Sequence, residues 1–227
     1  MIKQRKSGQL IVISGPSGAG KDSVVSRLLE TNKNIWLSIS ATSRSPRGKE
    51  EDGVDYYFLD KKDFEEKIKE DYFLEYAKYT DNYYGTPKAN IMEKLNKGID
   101  VILVIEIQGA AKIKELIPEA LFIFILPPTE KELLKRLIGR NTEDNAKIIK
   151  RFERAYKEIN EVTKYNYVVV NDKVDEAVEK VKAIIKAEKC RVDRIEDITL
   201  ANQEEIIHEA IINKKFKNKT IYEKIKK

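Results

Sequence analysis

The stretch that decides the fold is residues 10–24, which read Leu-Ile-Val-Ile-Ser-Gly-Pro-Ser-Gly-Ala-Gly-Lys-Asp-Ser-Val. A β-branched run is followed by a glycine-rich loop and then by apolar residues at helical spacing, so we predict a strand, a loop and a helix. The loop matches the pattern G-x-x-x-x-G-K, in which backbone N–H groups and the start of the helix face phosphate oxygens. A glycine turn that binds nothing is the alternative. The residues predicted to bind a nucleoside triphosphate are Gly15, Pro16, Ser17, Gly18, Ala19, Gly20, Lys21, Asp22 and Ser23.

Position 22 departs from the full pattern, which places a serine or threonine hydroxyl there to bind Mg²⁺. Here the residue is Asp22, and the hydroxyl comes one position later, on Ser23. Ser23 is therefore the predicted metal ligand. A carboxylate beside a polyphosphate is repelled unless a metal ion lies between them, so we expect Asp22 to point outward at the helix start, where an acid is mildly favourable. Binding of the metal by Asp22 is the alternative.

Beyond the loop, short apolar strands alternate with helices. Predicted strands cover residues 35–40, 100–107, 121–126 and 167–170, and predicted helices cover 87–96, 109–116, 145–163 and 174–194. This order is typical of an α/β fold, in which a parallel sheet is flanked by helices on both faces. Aromatic-rich segments at 56–59 and 72–79 surround a charged helix at 61–70. Their residue types predict a small antiparallel sheet inserted into the larger fold.

Composition excludes several classes of protein. The 227 residues include one cysteine, Cys190, and one histidine, His208. This excludes a disulfide framework, a cysteine-based zinc site and any mechanism that needs two imidazoles. No apolar run approaches the roughly 18 residues of a membrane span. We therefore expect a cytoplasmic protein without a membrane partner.

The net charge of +5 comes from the C-terminal end, where residues 213–227 hold seven lysines and a single acid. The rest of the chain is nearly balanced, so we do not expect nucleic-acid binding. We interpret residues 196–227 as a helical, lysine-rich appendage whose end keeps the protein in solution. Helical contacts in a homodimer and loose binding of anions are the alternatives.

Seven further motifs follow the loop in the chain. They are Ser-Ala-Thr-Ser-Arg-Ser-Pro-Arg at 40–47, Gly-Val-Asp-Tyr-Tyr-Phe at 53–58, Phe-Leu-Glu-Tyr-Ala at 73–77, Asn-Tyr-Tyr-Gly-Thr at 82–86, Ile-Glu-Ile-Gln-Gly at 105–109, Ile-Leu-Pro-Pro at 125–128 and Val-Asn-Asp at 170–172. Together with the loop, they make the chain resemble the guanylate kinases over about residues 8–191. The resemblance implies a three-part enzyme that transfers the γ-phosphoryl group of ATP to GMP with Mg²⁺.

The implied parts are a phosphate-loop core, an insertion that binds the nucleoside monophosphate, and a helical lid. The core would comprise residues 1–40 and 87–195, with the lid at about 129–160 within it, and the insertion would comprise residues 41–86. The fold class is then α/β, with a parallel phosphate-loop sheet, a small antiparallel GMP-binding sheet and a lid.

The resemblance also implies which residues hold GMP. They are Ser40, Arg44, Arg47, Tyr56, Glu75, Tyr84, Thr86 and Glu106. Paired guanidiniums suit a dianionic phosphate, and phenol donors can complete its shell. A carboxylate such as Glu75 suits the N1–H and N2–H₂ donors of guanine. As alternatives, the tyrosines are ordinary sheet aromatics, the arginines are solvated, and Glu75 points outward by strand alternation.

In the family, lid arginines close over the phosphates. The implied catalytic residues are Lys21, Arg136, Arg140 and Arg151, because positioned cations stabilise the charge of the migrating group. Asn171, in the Val-Asn-Asp motif, is implied to bind ATP.

One strand end departs from the family pattern. The family has acid-x-acid there, but this chain has Val104 in the first position and keeps the second acid as Glu106. One hypothesis is that Asp22 supplies the missing carboxylate for Mg²⁺. Two other functions stay open: a guanylate-kinase-like protein-binding module with impaired catalysis, and a phosphate-loop kinase for another nucleoside monophosphate. A shared use of dGMP is also open.

Overall fold

The computed structural model describes residues 2–4, 7–79, 81–138 and 145–198. The catalytic role expected of Arg140 and the appendage beyond residue 198 lie outside the described residues. The chain divides into two compact units. The larger unit comprises residues 6–189, and the smaller one comprises residues 1–5 and 190–227.

Strands and helices alternate along most of the chain. The strands are β1 (Ile2–Gln4), β2 (Leu10–Ser14), β3 (Ile35–Leu37), β4 (Ala41–Thr42), β5 (Tyr57–Phe58), β6 (Phe73–Tyr79), β7 (Asn82–Pro87), β8 (Asp100–Val104), β9 (Leu121–Leu126), β10 (Tyr167–Val170) and β11 (Ile195–Ile198). The helices are α1 (Lys21–Thr31), α2 (Lys61–Lys69), α3 (Lys88–Asn96), α4 (Ile107–Leu116), α5 (Glu130–Ile138), α6 (Asn145–Ile159) and α7 (Val174–Glu188). Within the described ranges, no helix is long and apolar enough to cross a membrane.

Five parallel strands form the central sheet of the larger unit, in the order β10–β9–β2–β8–β3. All residues of β2 are buried, which is why it reads as a continuous apolar run. Leu28 of α1 and Val181 of α7 belong to the apolar cluster on one face. Ile91 of α3 and Ile113 of α4 belong to the cluster on the other face. The predicted α/β fold is confirmed, and the C-terminal ends of its strands meet at one edge.

A second sheet of four strands, in the order β5–β4–β7–β6, is built from residues 41–87. Strand β7 pairs antiparallel with β4 and β6, as predicted, but β4 and β5 are parallel. The reason is the long loop 43–56, which returns the chain to the same end of the sheet before β5 begins. Phe64 of α2 forms the small core, where its ring stacks on Phe73 at 4.4 Å and on Tyr83 at 5.3 Å between centroids.

In the smaller unit, β1 pairs antiparallel with β11. Residues 195–198 form a strand, although the predicted helical appendage begins at residue 196, and α7 ends at Glu188 instead of residue 194. The two paired strands lie at opposite ends of the described chain, so no local pattern could reveal their pairing.

Candidate active site

The glycine-rich loop lies between β2 and α1, at the C-terminal edge of the central sheet. Gly15, Gly18 and Gly20 have φ angles of 151°, 88° and 84°, a region that glycine adopts readily. Gly15 also has no room for a side chain, because a Cβ there would lie 2.2 Å from the carbonyl oxygen of Ile125. The Nζ of Lys21 donates to the carbonyl oxygen of Gly15 at 2.6 Å. The ammonium group is therefore held directly against the loop.

Two predicted site residues, Asn171 and Arg136, support this loop through hydrogen bonds. Asn171 is 2% exposed, and its Nδ2 donates to the carbonyl oxygen of Ala19 at 2.9 Å. The Nη2 of Arg136 donates to the carbonyl oxygen of Asn171 at 3.2 Å, and its Nε donates to Glu132 at 3.0 Å. Among the described residues, the buried Oδ1 of Asn171 has no hydrogen-bond partner.

A cavity of about 700 Å³ lies in front of the loop. It brings together many of the residues singled out from the sequence: Ser17, Gly18, Gly20, Lys21, Asp22, Ser23, Ser40, Arg44, Arg47, Tyr56, Glu75, Tyr84, Glu106 and Arg151. The other described candidates do not line it: Gly15, Pro16, Ala19, Thr86, Arg136 and Asn171. Several lining residues were not predicted, among them Glu50, Gln108 and Gly109.

One part of the lining is a buried arginine and its partner. Arg44 is 9% exposed, and the carboxylate of Glu50 accepts from its Nη1 at 2.6 Å and its Nη2 at 2.8 Å. Glu50 also accepts from the backbone N–H of Arg47 at 2.8 Å. The hydrogen-bonded pair raises the pKa of Arg44 and holds the pKa of Glu50 below its ordinary value. Glu50 was not predicted from the sequence. An acidic residue three positions after an arginine, as Glu50 is after Arg47, is common in polar loops.

A second part of the lining is a buried carboxylate. Glu75 is 7% exposed and lies in β6 opposite Thr86, whose Oγ1 donates to its Oε1 at 2.6 Å. Phe73 and Glu75 are buried whereas Tyr76 is exposed, which excludes the outward orientation of Glu75. Burial raises the pKa of Glu75, opposed by the Thr86 hydrogen bond and by the charge of Lys112.

Oxygen atoms that suit a metal ion gather where α1 begins and β8 ends. Asp22 and Ser23 lie in the first turn of α1 and both line the cavity, which favours the alternative, that Asp22 contributes to the metal site, over the expected outward orientation. Strand β8 ends at Val104, three residues earlier than predicted, and Glu106 is the N-cap residue of α4.

These residues do not form a closed metal site by themselves. In the described part of the chain, no group of three or more His, Cys, Asp or Glu side chains could hold a metal ion. Magnesium bound with a phosphate chain needs only one or two protein carboxylates, since phosphates and water supply its other ligands. The oxygens of Asp22 and Ser23 fit that requirement.

Helix α6 brings two arginines to the same region. The Nη2 of Arg151 donates to the hydroxyl of Ser17, in the loop, at 3.0 Å. One turn further along the helix, Arg154 lies 3.7 Å from the carboxylate of Glu106. Arg154 was not predicted, because nothing in the sequence distinguishes it from the other charged residues of α6.

Comparisons with known proteins agree on one family. The family model described as guanylate kinase matches residues 7–188. The guanylate kinase of Clostridium tetani is 58% identical over 206 residues, which cover 91% of this chain and 99% of that protein. The guanylate kinase of Caldanaerobacter subterraneus is 56% identical, over 89% of this chain and 98% of that protein.

A solved structure shows the same relationship. The crystal structure of guanylate kinase from Anaplasma phagocytophilum matches with a TM-score of 0.72 at 32% identity. The match covers 85% of this chain and 92% of that chain. The chain belongs to the guanylate kinase family.

Proposed function

We propose that the chain transfers the γ-phosphoryl group of ATP to GMP, producing ADP and GDP. The observation that carries this proposal is the shared cavity, which Lys21 of the loop lines together with Arg44 and Glu75 of the inserted residues 41–86. Its volume of about 700 Å³ falls in the range of small-molecule sites. A phosphoryl donor and a guanine nucleotide can therefore meet in one space.

The donor half of the site is the phosphate loop. Backbone N–H groups of the loop, such as those of Gly18 and Gly20, and the positive end of α1 would attract the ATP phosphates. Lys21, which now donates to a loop carbonyl, would neutralise the β- and γ-phosphates. Asn171 would contribute from behind, because it supports the Ala19 carbonyl and its buried Oδ1 is available to a donor group.

The acceptor half would recognise each end of GMP separately. Arg44 and Arg47 would hold the phosphate, and the hydroxyls of Tyr56 and Tyr84 would add donors. Glu75 would accept from the N1–H and N2–H₂ groups of guanine. Adenine has no such pair of donors, and it would leave a buried carboxylate unsatisfied.

Three more residues complete the proposed GMP site. Ser40 and Glu106 line the cavity, where their oxygens can bond the nucleotide. Thr86 is fully buried and acts through its hydrogen bond to Glu75.

The proposed phosphoryl transfer depends on positioned cations and does not require a general base from the protein. The attacking atom is an oxygen of the GMP phosphate, which is already ionised at neutral pH. In the transition state, negative charge spreads over the oxygens of the migrating group, and positioned cations stabilise it. Lys21 and Arg151 line the cavity and would provide this charge. Arg140 belongs to the same proposed set, and Arg136 would act by holding the loop.

We propose that Mg²⁺ accompanies ATP. When bound, Mg²⁺ would neutralise negative charge on the phosphates. Ser23 would hold it through its hydroxyl, and Asp22 can add a carboxylate because both residues line the cavity.

The three implied parts can be given proposed roles. Residues 41–86 form the acceptor part, and residues 129–160, which include α5 and α6, form the lid. The hydrogen bond from Arg151 to Ser17 links the lid to the loop. Closure of the lid would exclude water, so that GMP and not water receives the phosphoryl group.

An assay of ADP release tests this function with GMP, dGMP, AMP, UMP and dTMP as acceptors, with and without Mg²⁺. We expect kcat/KM for AMP, UMP and dTMP to be at least about 100-fold below that for GMP, since those bases do not satisfy Glu75. A preference for another monophosphate would indicate a different kinase. No ADP release with any acceptor would indicate a protein-binding module.

A further inference from the structure

Gly109 is the third residue of α4, is buried and lines the cavity. Its backbone does not require glycine. Six other described glycines have positive φ angles, but Gly109 is not among them. In a helix, glycine is the least favourable residue after proline. The conformation of the helix therefore does not explain why this position lacks a side chain.

The space beside Gly109 is filled by the carboxylate of Glu75. A Cβ on Gly109 would lie 2.9 Å from Oε2, 3.2 Å from Cδ and 3.5 Å from Oε1, and these are its three nearest neighbours. The first of these distances is shorter than van der Waals contact allows, so one of the two groups would have to move.

Glu75 has little room to give way. It is 7% exposed, and its Oε1 accepts the hydrogen bond from Thr86 at 2.6 Å. A methyl group at position 109 would push a carboxylate that is held on its other side. The displaced carboxylate would turn away from Thr86 or enter the cavity where the acceptor base is proposed to lie.

The contact with α4 also favours the charged form of Glu75. The carboxylate lies against the first turn of the helix, where the macrodipole has its positive end. Lys112, on the same helix, adds a positive charge that acts on Glu75. An ionised carboxylate is the form that accepts from two donors of a base at once.

We propose that Gly109 is a positioning residue for guanine recognition. Its missing side chain lets the Glu75 carboxylate lie against α4, in the orientation that accepts from N1–H and N2–H₂ of the acceptor base. This role rests on the proposed function, because it identifies what sets base selectivity in the proposed GMP site. Gly109 acts through Glu75 and takes no part in the chemistry.

Gly109→Ala tests this role with GMP and IMP as acceptors, since the base of IMP keeps N1–H but lacks the N2 amino group. We expect KM for GMP to rise about tenfold or more and the preference for GMP over IMP in kcat/KM to fall about tenfold, with KM for ATP unchanged. An unchanged KM for GMP and an unchanged preference would overturn the role of Gly109. Failure of the wild-type enzyme to phosphorylate GMP would overturn the proposed function instead.

Gly98→Ala is the control. Gly98 follows the end of α3, has a φ angle of 75° and does not line the cavity. Alanine strains such a backbone, so this variant should lower the Tm and leave the preference for GMP over IMP as in the wild type. If it lowers the preference as much as Gly109→Ala does, general destabilisation explains the effect and the proposal fails.

A second comparison, made in protein that carries Glu75→Ala, tests the proposal even if Gly109→Ala alone does not fold. In Glu75→Ala protein, the added methyl group at position 109 has no carboxylate to meet. Gly109→Ala should then leave kcat/KM for GMP unchanged, and it should not lower the Tm, since alanine is more favourable than glycine in a helix. An equal loss in both backgrounds would show that the methyl group acts on something other than Glu75.

Discussion

The two halves of the cavity are built in different ways. The donor half is one unbroken stretch, residues 15–23, whose backbone follows the buried strand β2 and turns through glycines with positive φ. The acceptor half takes its residues from separate segments: Arg44 from the loop after β4, Glu75 from β6 and Gly109 from α4. One half is local and made largely of backbone, whereas the other is assembled from distant side chains.

The two halves therefore present positive charge to a phosphate in different ways. The N–H dipoles of the loop belong to the backbone, so substituting a neighbouring side chain does not remove them. The guanidinium of Arg44, by contrast, is already bonded to Glu50 through both Nη atoms. A phosphate must displace that carboxylate or share the remaining N–H groups. On the proposed function, the donor half would bind phosphate in general, and the acceptor half would provide selectivity.

Removing the positively charged side chain that residues 15–23 contribute to the cavity should have the largest effect. Lys21→Met is expected to lower kcat by about 10²–10³-fold, the usual cost of losing one fixed group that stabilises transition-state charge. GMP binding without ATP, measured by calorimetry, should be unchanged because the acceptor half does not use Lys21.

Lys33→Met serves as the control, because Lys33 is exposed beyond the end of α1. It should leave kcat unchanged. A loss of GMP affinity in Lys21→Met as large as the loss of kcat would show that the two halves do not work separately.

Substituting Arg44, the buried arginine of the acceptor half, should have the next largest effect. Arg44→Lys keeps the charge but loses the planar pair of donors, so KM for GMP should rise about 10–100-fold while KM for ATP stays the same. Arg27→Lys is the matched control, since Arg27 is an exposed arginine that pairs with Asp175. A rise in KM for ATP equal to that for GMP would contradict the division into halves.

The proposed metal ligands test the comparison at the point where the donor and acceptor halves of the cavity meet. If Asp22 replaces the acid missing at Val104, Asp22→Ser should raise the Mg²⁺ concentration for half-maximal activity about tenfold. Adding Val104→Asp to that variant should restore it. Binding of Mn²⁺ in the presence of ATP, followed by electron paramagnetic resonance, should change in parallel. An Mg²⁺ dependence that is the same in all variants would remove the hypothesis.

The smallest expected effect is on stability and comes from Glu75. Burial raises its pKa in the folded protein above the unfolded value. The ionised group therefore opposes folding at pH values above the folded-state pKa, and this penalty disappears as the pH falls through that pKa. Glu75→Gln, which can still accept from Thr86, should resist urea better than the wild type at about pH 8, with no such gain at about pH 4.

Glu93→Gln is the control for that measurement. Glu93 is exposed, and its hydrogen bond with Lys97 lowers its pKa, so its replacement removes a favourable interaction. It should show no gain at either pH. A Glu75→Gln protein that is less stable than the wild type at about pH 8 would contradict the predicted sign.

Much of the fold was predictable because it depends on neighbours in the chain. The apolar run of β2, the glycines after it and the helical spacing of α1 all lie within residues 10–31, and each limits the local backbone directly. The parallel β4–β5 pair and the β1–β11 pair were not predictable in this way. The pairing of these strands depends on the path of the segments that connect them, and no local sequence pattern shows that path.

The same division runs through the site. By itself, the sequence determined the phosphate loop and the kinds of side chain available to a nucleotide, because backbone preference and side-chain chemistry belong to the residues themselves. Only the tertiary structure decided that Glu50 pairs with Arg44, that Asp22 faces the cavity and that Asn171 supports the loop from behind. It alone placed Gly109 against Glu75. Contacts of this kind join residues from separate segments, and they exist only once the chain has packed.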